Sequence, residues 1–220
     1  MKYILSIMLI IFVAACEQAP KADKATITEA HPVKESVGSP YLVDTVNSEL
    51  QWIGTKPTGK HVGHFKIQEG KLLVKDTAIT GGNIIIKMNS LENMDLSKTD
   101  TILQRKLENE LKGPLFFDVT NFPVATFEIT SVSDFSPSVG NEVLMKNANY
   151  TIQGNLTIKN ITKNISFPAI IRIKKGEITA LANFNIDRTL WGMTYRADKS
   201  MQDKLINSVV NIQFTLKAKR

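Results

Sequence analysis

One cysteine and three histidines are the side chains in this chain of 220 best suited to covalent or metal chemistry, and their spacing narrows them further. Cys16 is the single cysteine, so it has no intrachain partner; a thiol so placed offers an attachment point, not an internal crosslink. His61 and His64 stand three apart in a segment of alternating hydrophobicity, where a strand turns them to opposite faces and keeps them from sharing one metal without a bulge. The third histidine, His31, lies in a polar stretch far from both. Asp187 and Arg188 form the most suggestive charged pair, suited to orienting a turn or to meeting the polar head of a ligand. The sequence has no nucleophile elbow, glycine-rich phosphate loop or HExxH motif, so the expectation is a protein without catalytic residues, metal or resident cofactor.

The segment around Cys16 says what its thiol is for. Lys2 precedes an apolar run from Tyr3 to Val13 broken only by Ser6, and Ala14 and Ala15 follow. That run is about half the roughly 20 residues a membrane span needs, and it reads as a secretory leader, residues 1–15. Val13-Ala14-Ala15-Cys16 resembles the bacterial lipobox, in which the cysteine is acylated and becomes the mature N-terminus. Two or three acyl chains, palmitate among them, make a durable anchor where one holds only marginally. Glu17 is not the aspartate that retains some lipoproteins at the inner membrane, so the expected address is the outer membrane, facing the periplasm. Residues 16–40, with Pro20, Pro32 and Pro40 and no sustained apolar period, read as a flexible tether. Its reach as a random coil is on the order of 25 to 30 Å.

The chain carries 27 Lys and Arg against 21 Asp and Glu, a net +6 that falls to +5 when Lys2 leaves with the leader. The excess is dispersed and lacks the interleaved aromatics of a nucleic-acid site, which excludes that partner while leaving an anionic lipid surface open.

Positioning is the work of strands. From residue 48 onward a period of two dominates, most cleanly in Thr151–Lys159, where Ile152, Gly154, Leu156 and Ile158 share one face. Ile165–Lys174, Ile178–Ile186 and Val210–Leu216 repeat it, and shorter runs read as Leu50–Gly54, Val62–Gln68, Lys71–Lys75, Gly82–Met88 and Val124–Val132. Turns are expected at Glu69-Gly70, Gly81-Gly82, Lys159-Asn160 and Lys175-Gly176-Glu177. Thr99–Lys112 breaks the pattern with Ile102, Leu103, Leu107 and Leu111 at helical spacing, ended by Gly113-Pro114. About eight strands and one short helix suit a closed antiparallel β-barrel, which leaves no exposed edge; a sandwich is the alternative. Asn149, Asn155, Asn160 and Asn164 open glycosylation sequons, but with a bacterial lipobox they read as strand and turn residues.

Five segments in order resemble the YceI-like family of polyisoprenoid-binding, lipocalin-like bacterial proteins. They are Tyr41-Leu42-Val43-Asp44 with Ser48; Gly63-His64-Phe65 with Gly70; Phe116-Phe117-Asp118-Val119 followed by Phe122-Pro123-Val124-Ala125-Thr126-Phe127; Tyr150–Ile158 with Thr162-Lys163; and Asp187–Met193. The resemblance covers residues 41–217 and implies a domain over 41–220 whose apolar interior takes an isoprenoid quinone, a fatty-acyl compound or a similar chain. A histidine common in the family's second strand region is absent where this chain has Lys56-Pro57-Thr58-Gly59, so no head-group contact is carried over there.

The residues expected to line that interior are Trp52, Phe65, Phe127, Ile129, Leu156, Ile158, Phe167, Phe184 and Trp191, with Arg188 at the ligand's head. The inward face alone is compatible with a filled core or an open tunnel; the small residues Gly154, Ala169, Ala180 and Ala182 lean toward the tunnel. The functional expectation is a membrane-anchored protein that holds or carries a long-chain amphiphile, as monomer or homodimer. The alternative is an envelope structural or stress protein with a packed barrel, acting through protein contacts.

Overall fold

The computed structural model describes residues 18–96, 100–137, 143–174, 176–197 and 205–220. Cys16, Glu17 and the leader lie outside them. Strands β1 (Asp23–Lys24), β2 (Thr26–Glu29), β3 (Ser39–Val43), β4 (Glu49–Lys56), β5 (Gly59–Lys75) and β6 (Ala78–Asn93) precede helix α1 (Thr101–Lys112). Strands β7 (Val124–Asp134), β8 (Tyr150–Ile158), β9 (Ile161–Lys174), β10 (Glu177–Asp187) and β11 (Val209–Lys219) follow it, with a 3-10 turn at Arg188–Trp191 after β10.

Alternation of apolar and polar residues makes each strand two-faced, and the chain buries the apolar face by curling the meander into a cylinder. Strands β5 to β11 pair antiparallel in sequence order, and β11 returns to β3 and β4, which in turn pair with β5. β3 and β4 make one stave in two pieces, so the closed barrel has eight staves, as the period-two pattern predicts. The break lies at Asp44, whose carboxylate accepts the N–H groups of Val46 and Asn47 and the side-chain amide of Asn47.

Two expected turns are absent for a shared reason. Val62–Gln68 and Lys71–Lys75 are one strand, β5, which runs through Glu69-Gly70 with a register shift between Ile67 and Glu69. Gly81-Gly82 likewise lies inside β6, and the reversal is at Asp76, in the left-handed region with φ 57°. Glycine marks bulges and close approaches in a curved strand as readily as turns. The β8–β9 turn falls at Lys159-Asn160 as expected, both with positive φ (50° and 59°), which suits a two-residue hairpin. In α1, Asp100 caps the first turn by accepting from Ile102 and Leu103 N–H, and Gly113 closes the last; Thr99 lies outside the described residues. Only the C-terminal end of α1 reaches the interior, through Leu111, while Ile102 and Leu103 stay exposed.

The expected tether is corrected by β1 and β2. Asp23–Lys24 pairs parallel with Phe184–Asn185 of β10, and Thr26–Glu29 pairs antiparallel with Lys163–Ser166 of β9. This strap fills a split in the wall. The β9–β10 ladder runs from Lys174↔Glu177 to Leu181↔Ile170 and stops, and the strap occupies the gap beyond. Ala25 and Ile27 turn inward, Ala25 fully buried. Four side chains fasten the strap: Asn155 bonds both the N–H and C=O of His31, Asp23 accepts the N–H groups of Leu144 and Met145, Asn185 donates to the Pro20 carbonyl, and Lys163 pairs with Glu29. Its period-two signal spans four or five residues inside linker-like composition, and its partners are the two edges of a gap that sequence does not reveal.

Candidate functional site

Inward side chains do not fill the barrel. They surround a cavity of about 220 Å³. One water needs roughly 10 to 15 Å³ on this measure, so the space is far beyond a packing defect, and a cavity walled by carbon is the kind that stays dry and admits apolar guests. Of the nine residues expected to line it, eight do: Trp52, Phe65, Phe127, Ile129, Leu156, Ile158, Phe167 and Phe184. Trp191 does not. It sits on the 3-10 turn, fully buried, with its indole N–H donating to the Leu156 carbonyl at 3.0 Å, a structural position and not a wall position.

The small residues have mixed roles. A Cβ on Gly154 would overlap the Phe127 ring, so this glycine seats an aromatic and opens no space; of Gly154, Ala169, Ala180 and Ala182 only Ala180 lines the cavity. Gly63 seats Trp52 in the same way. Phe167 is the hub of an aromatic wall, stacked on Phe184 at 4.1 Å and edge-on to Phe214 at 5.9 Å, with Phe127 at 6.0 Å.

Sequence reading missed the end closure. After α1 the chain turns tightly, Phe117 N–H reaching the Leu111 carbonyl and Asp118 N–H that of Gly113, and this carries Leu111, Phe116 and Phe117 into the cavity wall. Phe117 meets Phe65 edge-on at 5.3 Å. An apolar residue at a helix end followed by two phenylalanines was the available signal.

Arg188 lies at this same end, buried and lining the cavity. It does not pair with Asp187, whose carboxylate accepts from the Thr189 N–H and hydroxyl. Its Nε donates to Asn207 O, Nη2 to Tyr195 O and Ile206 O, and Nη1 to Met193 O, while the guanidinium lies 5.6 Å from the centroid of the Phe116 ring. Burial pushes its pKa down and nearby Asp187 opposes the shift; an arginine keeps its charge nonetheless. Four of its five N–H groups thus hold the segments before and after residues 198–204. Trp52 Nε1 is the buried side-chain nitrogen without an acceptor among the described residues.

The histidines serve the surface. His61 Nδ1 lies 2.9 Å from Asp95 and His64 Nε2 lies 3.4 Å from Glu92. Burial raises the Asp95 pKa, but hydrogen bonds from Val62 N–H, His61 and Asn93 outweigh it and hold the carboxyl below its ordinary 3.8. No cluster of three or more metal-ligating side chains occurs among the described residues, nor is any helix there long and apolar enough to cross a membrane.

Comparison with known proteins agrees with this architecture. The family model described as "YceI-like domain" matches residues 41–218. Among solved structures the chain is similar to BcnA of Burkholderia cenocepacia, at 20% identity and TM-score 0.58, over 80% of this chain and 99% of that one. It is also similar to a polyisoprenoid binding domain from Saccharophagus degradans, at 12% identity and TM-score 0.57, over 81% and 97%. The YCEI protein of Campylobacter jejuni matches at 16% identity and TM-score 0.50, over 71% and 84%. No curated protein matches. At these identities the likeness shows the fold.

Proposed function

The chain belongs to the family of YceI-like domains, and from that premise we propose that it is a non-catalytic carrier that holds a long-chain amphiphile, such as an isoprenoid quinone or fatty-acyl compound, inside the barrel. The observation that carries this reading is the carbon-walled cavity of about 220 Å³ inside the barrel. A structural or stress protein acting through a packed barrel would want that volume filled. The description of the Saccharophagus degradans neighbour as a polyisoprenoid binding domain supports the ligand class. The sequence around Cys16 supports acylation there and anchoring in a bacterial envelope, with Glu17 favouring the outer membrane. Arg188 is the candidate contact for the ligand's head.

Native mass spectrometry of the purified mature protein, followed by organic extraction, tests the reading. The expected result is a co-purifying lipid, or uptake of isoprenoid or fatty-acyl chains by the empty barrel with affinity rising with chain length. An empty protein that takes up neither overturns it. Separately, Cys16→Ser is expected to leave the fold intact and the protein unanchored; a variant still membrane-bound after a salt wash overturns the anchor.

A further inference from the structure

We infer that the ligand enters and leaves through the side of the barrel, between β9 and β10, where the strap Asp23–Glu29 now lies. This rests on the carrier reading and concerns the route into the same cavity. The wall is half zipped at this seam. Lys174↔Glu177 to Ile170↔Leu181 pair directly, whereas Lys163–Ser166 and Phe184–Asn185 pair with the strap instead of each other. Pro168, which has no N–H to donate, lies in β9 between the stretch paired to β10 and the stretch paired to the strap. Proline is tolerated inside a strand at such a break in the ladder.

Directly behind the strap the wall of the cavity is Ile165 and Phe167 from β9 and Phe184 and Ile186 from β10. Moving the strap therefore exposes the Phe167–Phe184 stack over the unzipped half of the seam, and parting those two rings opens the cavity sideways, so a long chain need not thread through an end. Entry at the helix end instead requires displacing Leu111, Phe116 and Phe117 beside an arginine that holds four backbone carbonyls.

The strap is also built to move as a piece. It precedes the family-matched region 41–218, and it joins the barrel through exposed residues leading to Ser39, so it can swing out without unthreading any other connection. Ala25 and Ile27 are its inward side chains, while Thr26, Thr28 and Glu29 face solvent. What fastens it is two short ladders, the buried Ala25 and a few polar side chains, Asp23, Asn155, Asn185 and Lys163, the first three making part-buried bonds. Segments held this way open locally well below the free energy of global unfolding.

The test staples the strap. Thr26 and Ser166 are register partners on the outward face of β2 and β9, so Thr26→Cys with Ser166→Cys in a Cys16→Ser background places two thiols within the span of a disulfide. Dansyl-labelled palmitate is bound, and its transfer to phosphatidylcholine vesicles is followed by stopped-flow fluorescence before and after reduction. The expected result is transfer slowed on the order of tenfold or more in the oxidised protein and restored by dithiothreitol. Equal rates in both redox states overturn the side entrance and leave the cavity reading standing. Failure of both forms to bind the probe overturns the cavity reading and the entrance with it. A second variant, Asp23→Ala, removes the bonds to Leu144 and Met145 and is expected to speed transfer several-fold with binding retained; a rate no faster than that of the parent protein counts against the entrance independently of the staple.

Discussion

Phe167 and Phe184 stack with ring planes 11° apart and centroids 4.1 Å apart, reaching across from β9 to β10 in the half of the seam where the two strands exchange no ladder bonds. The stack thus holds from inside what the strap covers from outside. Phe167 also meets Phe127 and Phe214. Phe167→Ala is expected to destabilise the protein by about 3 to 5 kcal/mol, read from urea denaturation midpoints. Phe167→Leu, which keeps most of the volume and loses the ring faces, is expected to cost less than half as much.

The two tryptophans separate a paired indole from an unpaired one. Trp191 donates to the Leu156 carbonyl, and Trp52 Nε1 is buried without an acceptor. Both Trp→Phe variants lose similar ring area, so their difference isolates the N–H. Trp191→Phe is expected to cost about 1 kcal/mol more than Trp52→Phe in the same denaturation assay.

Acid weakens the junction between the start of β5 and the end of β6 through Asp95. Its pKa is lowered in the fold below the ordinary 3.8. A carboxyl depressed in this way contributes stability at pH above about 4, and that contribution is lost as pH falls through the folded value. Between pH 5 and pH 2, on the order of the range over which such groups titrate, Asp95→Asn is expected to lose less stability than the parent protein. The check is a series of thermal midpoints at stepped pH.

Chain length dominates affinity in a wall that exposes carbon. Each buried methylene is worth about 0.8 kcal/mol, so each two-carbon extension tightens binding by roughly tenfold until the cavity is full. Association costs an estimated 4 to 15 kcal/mol, so an eight-carbon chain, offering about 6 kcal/mol, is expected to bind poorly beside one of about 20 carbons. Calorimetry on a homologous series reads this directly. Leu156→Asp, which puts a charge on the wall without a partner, is expected to abolish binding or folding.

The staves were legible in the sequence because period two is a direct image of a two-faced strand, as Ile152, Leu156 and Ile158 show on β8. Eight of nine wall residues followed from that alternation, since register on one buried face leaves little freedom. Trp191 was misplaced because it lies after Asp187, where the strand has ended and alternation no longer says where a side chain points. Glu69-Gly70 and Gly81-Gly82 misled because bulge and turn use the same residue types. Leu111, Phe116 and Phe117 carried only a compositional signal, an apolar helix end and two phenylalanines, because their placement on the wall depends on where the helix docks. Asn155 and Asn164 were read as ordinary strand residues, yet Asn155 clamps the strap at His31 and Asn164 donates to Asn155.

The strap separates the region that the family shares from the object that closes. The matched region begins at residue 41, whereas Lys163–Ser166 and Phe184–Asn185 find their ladder partners upstream of it. A chain trimmed to the shared region keeps the staves but for the outer residues of β3 and β11, and loses the hydrogen-bonding complement of two facing edges. Such edges are templates for another copy's strand. The short polar segment before the barrel therefore also covers two edges that would otherwise be open to a second copy's strand.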